Sequence, residues 1–419
     1  MLAKIHIQNY RLLRDVVINI PENNPVVLIG PNASGKSTYL EVLDLLSSAA
    51  NGFFGEALQR RGGFRSIYSA YEMSPQRDDR DVSVCVQIRP RSGWLVENDQ
   101  GLVTYRLSFH ATSQNRVVIS REDIEIAREK DSGPLCVMQR QGGEVFLLNR
   151  TTGKRDKLSI AADSLALSGV QQSEFYPTVS NVREVLGKIR VYPGFLTLPL
   201  WAKDPRENDV GPRLPQYLVQ TPQISSRGFD LITALHYLET EHRDTAWVEL
   251  KKNLWAEFPS IQDLILQADA GGGRMALAYK DVRFPRVKFY AEQMSEGTVD
   301  YLCLLAALLS PEPTACIAFD EPDARLHPSA IRRLVSLMER RAQTTTVFVT
   351  THSNDILDNL AEPYESVFVC EAVGDPSGVA ARKLNPEEFD EWRKLYSLSQ
   401  LRGKNYIDLP NRDSVAVDK

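Results

Sequence analysis

Apolar positions alternate at first and then run together. Ile5 and Ile7 alternate with polar neighbours, and residues 16–20 form a second apolar run. This predicts two strands joined across 9–14. Residues 25–29 read as a short buried strand, and Leu40, Leu43 and Leu46 repeat at helical spacing beyond it. From 81 to about 158 the period is two. Val82, Val84, Val86 and Ile88 alternate, as do Val103, Tyr105, Leu107 and Phe109, with glycine-rich turns such as 141–143 between runs. That is a hairpin-rich antiparallel pattern. Residues 159–225 are mixed. Residues 228–257 read as two helices, with Phe229, Ile232, Leu235 and Leu238 at spacing three. Strands return over 264–290, broken at 271–273.

The last third alternates between strand and helix. Residues 301–309 form a buried helix, and 315–319 a strand ending in Asp320-Glu321-Pro322. Residues 328–341 form an amphipathic helix with Ile331, Leu334 and Leu337 inward. Residues 345–349 form a strand ending in Thr350-Thr-His-Ser. Such alternation predicts an α/β fold with a largely parallel sheet and its site at the strand C-termini. The expected division is a composite core of 1–50 and 281–385 and an inserted lobe over 51–280. Within that lobe 80–158 is hairpin-rich and 159–260 helical, and a tail follows at 386–419. No sustained heptad pattern or internal repeat is present.

Bulk properties narrow the function. A chain of 419 residues with net charge −5 carries no global basic field, so a nucleic-acid contact has to be a local patch. Five scattered cysteines (Cys85, Cys136, Cys303, Cys316 and Cys370), mostly among apolar residues, suit buried thiols in a reducing compartment. The N-terminus lacks a signal-peptide apolar region, and the longest apolar run, 301–309, is too short to span a bilayer. The expectation is a cytoplasmic protein with no membrane partner.

The chemistry concentrates in five places. Gly30-Pro31-Asn32-Ala33-Ser34-Gly35-Lys36-Ser37-Thr38 fits G-x-x-x-x-G-K-[ST] between a strand and a helix. Its glycines let backbone N–H groups curl around phosphates, and the helix N-terminus adds a favourable dipole. Lys36 would reach the β- and γ-phosphates, and Ser37 would ligate Mg²⁺. Asp320 and Glu321 alone read as a common loop start. Paired with the phosphate loop, they read as a metal-holding aspartate and a general base. His352, 32 residues after Asp320, is placed either to sense a γ-phosphate or to sit in a helix-capping loop. Ser295-Glu296-Gly297 precedes the buried helix. By itself it is an ordinary helix start, but it also makes a second anion cradle. Arg60, Arg61 and Arg65 around the Gly62-Gly63 turn form either a solvated loop or a positive spot for DNA.

In this order and spacing, these motifs resemble the ABC-type ATPases. Within them the chain is similar to the RecF/SMC-like branch and its predicted ATPases with overcoming-lysogenization-defect (OLD)-type heads. The branch-level cues are Ile7-Gln-Asn-Tyr-Arg11, Gly62-Gly-Phe64, Arg325-Leu-His-Pro328 and Tyr396-Ser-Leu-Ser-Gln-Leu401. The resemblance implies a P-loop ATPase head with a largely parallel sheet, an N-terminal antiparallel β subdomain and an inserted mixed α/β lobe. It implies ATP and Mg²⁺ as cofactors. It also implies a homodimer or higher oligomer that sandwiches two nucleotides, with Ser295, Glu296 and Gly297 serving as a signature in trans. The signature reads Met-Ser-Glu-Gly-Thr where transporters have Leu-Ser-Gly-Gly-Gln. His327 stands where an aspartate is usual, and 259 residues separate Lys36 from Ser295. All three departures favour the RecF-like branch. Gln76 and Gln87 are the candidates for the glutamine loop. About 67 residues follow His352 without a clear acidic metal cluster, so any cleavage is expected from a separate effector protein. The expected role is DNA-related or in anti-phage defence. The alternative is a regulatory ATPase that controls a bound protein without touching DNA.

Overall fold

The computed structural model describes residues 1–68, 81–90, 101–128, 133–199, 211–268, 273–373, 378–385 and 397–403. The alternating N-terminus folds as β1 (Leu2–Tyr10) and β2 (Leu13–Asn19), followed by the buried β3 (Val26–Ile29). Three helices come next: α1 (Lys36–Ala50), α2 (Phe54–Arg60) and α3 (Phe64–Ile67). The period-two region gives β4 (Val82–Ile88), β5 (Val103–Ala111), β6 (Val117–Ile126), β7 (Leu135–Gln141), β8 (Glu144–Leu148) and β9 (Arg155–Ser159). Then come α4 (Ala166–Gly169), α5 (Pro177–Gly187), β10 (Ile189–Tyr192) and β11 (Gln216–Tyr217). Helix α6 (Leu231–Glu241) runs through a π turn, Arg243–Trp247, into α7 (Val248–Glu257). Strands β12 (Ile261–Ala268), β13 (Arg274–Asp281) and β14 (Lys288–Tyr290) lead to α8 (Glu296–Leu309). The remainder is β15 (Cys316–Asp320), α9 (Pro328–Ala342), β16 (Thr346–Thr350), α10 (Asn354–Asn359), α11 (Pro363–Ser366), β17 (Val367–Val373), β18 (Gly378–Lys383) and α12 (Leu398–Gly403).

Three sheets form. One has six strands in the order β10-β15-β16-β3-β17-β18, parallel except for the last pair. This is the expected parallel sheet, but it is not the largest. The largest has eight strands, β2-β1-β4-β5-β6-β7-β8-β9, and is antiparallel throughout. The parallel sheet is therefore not the main one, as the main sheet is antiparallel. The hairpins expected inside the inserted lobe continue the N-terminal strands: β4 pairs β1, with Val86 opposite Ile5 and Val84 opposite Ile7. The reason is physical. A lone β1–β2 ribbon leaves an open edge and one apolar face, and the buried Val82, Val84, Val86 and Ile88 extend that same face. Strand β10, within the stretch expected to be helical, forms the edge of the parallel sheet. The third sheet has the order β11-β13-β12, with β14 on β13. Residues 51–280 therefore contribute strands to all three sheets.

Two cores flank the parallel sheet. In β3, Val26 and Leu28 join one core, with α1 and the antiparallel sheet. Val27 and Ile29 join the other, with α6, α8 and α9. All four side chains are buried. That explains why β3 reads as a continuous apolar run, as parallel strands covered on both faces do. Each such side chain contributes about 1.5–3 kcal/mol. Among the described residues, no helix is long and apolar enough to cross a membrane, and the five cysteines are free.

Candidate nucleotide site

The site lies where β3, β15 and β16 end side by side. Gly30, at the end of β3, has φ +146°, and a Cβ there would stand 2.3 Å from the Cys370 carbonyl oxygen on neighbouring β17. Only glycine lets the chain leave the sheet at this point. Ala33 holds φ +62° and Gly35 φ +79°, so the loop curls before α1 begins. Gly35 makes no side-chain cap, leaving the first N–H groups of α1 without one.

Lys36 is buried, and its Nζ donates to the carbonyl oxygens of Gly30 and Pro31, each at 3.0 Å. Burial pushes its pKa down; Cys370, Glu321 and Asp320 pull it back up, and Arg402 adds to the depression. The buried Ser34 Oγ has no partner among the described residues. A buried ammonium on two carbonyls, an unpartnered hydroxyl and a glycine-turned loop fit a phosphate group.

Asp320 ends β15. Its Oδ1 accepts from Ser37 Oγ at 3.0 Å and from Thr350 Oγ1 at 2.5 Å. A hydroxyl beside a carboxylate is a hard-oxygen donor pair that suits Mg²⁺. Glu321 follows in a strained backbone state, φ +47°. Its N–H donates to both the carbonyl and the Oγ1 of Thr350, each at 3.1 Å. These bonds hold the exposed carboxylate 3.6 Å from His352 Nε2. Burial, then Lys36, lowers the His352 pKa against the opposing pull of Glu321, so the ring is neutral at neutral pH. The His352 carbonyl accepts from Arg402 Nη1 at 3.2 Å. Thus Lys36, Ser37, Asp320, Glu321 and His352 converge at one place.

The signature sits elsewhere on the surface. Ser295 is exposed and caps α8: its Oγ accepts from Thr298 N at 3.2 Å and lies 2.6 Å from Thr298 Oγ1. Glu296 and Asp300 both pair with Arg325, each at 2.9 Å. A Cβ at Gly297 would lie 2.6 Å from the Arg325 carbonyl, so glycine lets the helix seat against the loop after Glu321. None of the described hydrogen bonds joins 294–298 to 30–38 in one chain.

The three arginines part company. Arg61 is turned inward, bonded to Asp44, to the Glu41 carbonyl at 3.1 Å and to the Ala57 carbonyl at 2.8 Å. Arg60 is exposed and lines a cleft of about 500 Å³ with Ser37, Thr38 and Asp320. Arg65 is exposed on α3. Gln87 lies near the end of β4, opposite Lys4 and Thr104, and Gln76 and Tyr396 fall outside the described residues. His327 caps α9, with Nδ1 accepting from Ser329 N at 3.4 Å.

Sequence reasoning missed several supports. Thr350 fixes both Asp320 and Glu321. Thr351 Oγ1 donates to Asp323 Oδ1 at 2.8 Å, and burial raises the Asp323 pKa. Arg213 is buried, and donates to the Thr197 carbonyl at 2.9 Å, the Ala291 carbonyl at 2.8 Å and the Met294 carbonyl at 2.6 Å. The threonines were visible at the end of β16 as Thr350-Thr351, but Arg213 gave no local signal.

Among solved structures, similar ones include three SMC heads. The SMC head domain from Thermotoga maritima shares 11% identity at TM-score 0.43, covering 91% of this chain and 99% of that one. An Smc head with an extended coiled coil bound to the C-terminal domain of ScpA, derived from Pyrococcus furiosus, shares 13% at TM-score 0.49, covering 96% and 99%. An SmcHead bound to the C-winged helix domain of ScpA shares 12% at TM-score 0.48, covering 92% and 98%. No curated protein matches the chain. Residues 26–358, which span the phosphate loop, the acidic pair and His352, match the family described as "AAA domain, putative AbiEii toxin, Type IV TA system". The chain belongs to this family.

Proposed function

We propose that the chain hydrolyses ATP as one half of an ATP-dependent dimer. The closed dimer then acts on DNA or in anti-phage defence through a separate nuclease or toxin. One observation carries this reading: Ser37 and Asp320, 283 residues apart, meet at 3.0 Å beside the buried Lys36. Lys36 would hold phosphate oxygens, and Ser37 with Asp320 would hold Mg²⁺. A bound nucleotide would supply the phosphoanhydride, and a Mg²⁺ held there would neutralise developing charge. Glu321 takes the proton of the attacking water. Neutral His352 bonds the terminal phosphate and steadies Glu321. Ser295, exposed and bonded within its own helix, supports a role on a second copy's nucleotide.

Arg60 and Arg65 are the DNA contacts in this reading; Arg61 is taken up by the fold. The family's description as a toxin of a type IV toxin–antitoxin system supports the defence role. It also favours a second reading, a regulatory ATPase controlling a bound protein without DNA. ATP turnover measured with and without double-stranded DNA separates the two. Stimulation that falls in Arg60→Ala/Arg65→Ala supports the DNA reading. No stimulation, with that variant unchanged, overturns it.

A further inference from the structure

The third sheet carries a surface that the nucleotide site does not use. Residues 274–290 hold five Lys or Arg and one acidic residue, in a chain of net charge −5. Residues 282–288 are all exposed. Pairing of β13 with β14 sets Lys280 directly opposite Lys288, and like charges across an antiparallel pair destabilise each other. Among the described residues, nearby acids do not relieve this. Asp281 is bound to Arg283 at 2.6 and 2.9 Å. Asp263 stands opposite Lys280 on β12, but its carboxylate lies 3.8 Å from Lys251. Lys288 reaches the neutral Gln267 Oε1 at 2.6 Å.

Aromatic rings are interleaved with these charges. The Arg274 guanidinium lies 4.7 Å over Tyr217, which is 61% exposed. Arg283 lies 6.0 Å over Phe284, which is 51% exposed, and Tyr290 is also exposed. An apolar protein face would cover the rings but strand the lysines without partners. A single nucleic-acid strand meets both needs, with phosphates for the cations and bases for the rings.

We propose that the β13–β14 hairpin binds single-stranded nucleic acid. Lys280, Arg286 and Lys288 contact phosphates, and Tyr217, Phe284 and Tyr290 serve as stacking platforms. The hairpin feeds straight into the signature. Tyr290 N–H donates to Gln293 Oε1 at 2.9 Å, and Arg213 grips the Ala291 and Met294 carbonyls just before Ser295. A strand on the hairpin therefore bears on the start of α8. That coupling rests on the dimer reading above; the binding itself does not.

The test is fluorescence anisotropy of the full chain with a labelled oligothymidylate, and separately with a DNA duplex, without nucleotide. The single strand binds more tightly, with a log–log salt slope of about −2 for three phosphate contacts. Lys280→Glu/Arg286→Glu weakens binding about tenfold or more at unchanged melting temperature, and Phe284→Ala weakens it about fivefold or more. Three results overturn the proposal: both variants binding like the parent, a parent that prefers duplex, or a parent that binds no nucleic acid. If the hairpin variants bind normally while Arg60→Glu/Arg65→Glu loses binding, the hairpin fails and the DNA reading survives.

Discussion

Helices α1 and α8 both begin at turns suited to an anion, yet the two ends are built differently. The α1 end starts on a left-handed Gly35 with no side-chain cap, over a buried Lys36 and an unpartnered Ser34 hydroxyl. Its remaining partners, Asp320 and Thr350, come from the same chain. The α8 end is capped by its own Ser295 and held from behind by Arg325 and Arg213. One end carries buried polar groups that a phosphate would satisfy. The other is capped by its own side chain and presents an exposed Ser295. The contrast suits a site whose binding half is internal and whose closing half comes from another copy.

Glu321→Gln gives the largest expected effect. Turnover falls roughly 10²–10⁴-fold, the range for loss of a general base, while ATP binding persists. Normal turnover in that variant, read by phosphate release, refutes the base assignment. Lys36→Ala weakens ATP binding about 100-fold, since a charged hydrogen-bond donor contributes about 3 kcal/mol. The variant melts close to the parent, since the change removes a buried ammonium together with its two carbonyl bonds. Calorimetric titration and a thermal melt check both halves. Unchanged ATP affinity would set α1 and α8 on the same footing.

Ser295→Arg leaves ATP affinity within about twofold, because the monomer's own site does not use it, but turnover falls about tenfold or more. Mixing it with Lys36→Ala restores partial turnover if each site draws on two chains. No restoration blurs the contrast between the two helix ends.

The smallest effect is a pH dependence at His352. Its folded pKa lies below the ordinary value of about 6.5. As pH falls through that value the unfolded chain binds the proton first, so stability drops; above it the full stability is present. His352→Asn therefore flattens the fall in melting temperature between neutral and mildly acidic pH. An identical pH profile in parent and variant removes His352 from the account.

The sequence made the local parts legible. Gly30 to Thr38 are contiguous, and their chemistry is set by backbone shape and one lysine. Asp320 and Glu321 were readable because they end an apolar strand. Pairing between distant strands was not readable. Period two gives strands without partners, so β4–β9 looked like a separate lobe instead of an extension of β1. Strand β10 has four residues after a helix, too few to show a period. Arg61 and Arg65 look alike in sequence, and only packing against Asp44, the Glu41 carbonyl of α1 and the Ala57 carbonyl of α2 separates them. Arg213 reaches across 81 residues to the Met294 carbonyl, a contact without a local pattern.

The most direct test of the central claim is the mass of the Glu321→Gln chain in solution, by light scattering, with and without ATP and Mg²⁺. The account predicts a monomer without nucleotide and a dimer with it, and the dimer is lost when Ser295→Arg is added. A mass that ATP does not change, in a chain shown by calorimetry to bind ATP, would contradict it.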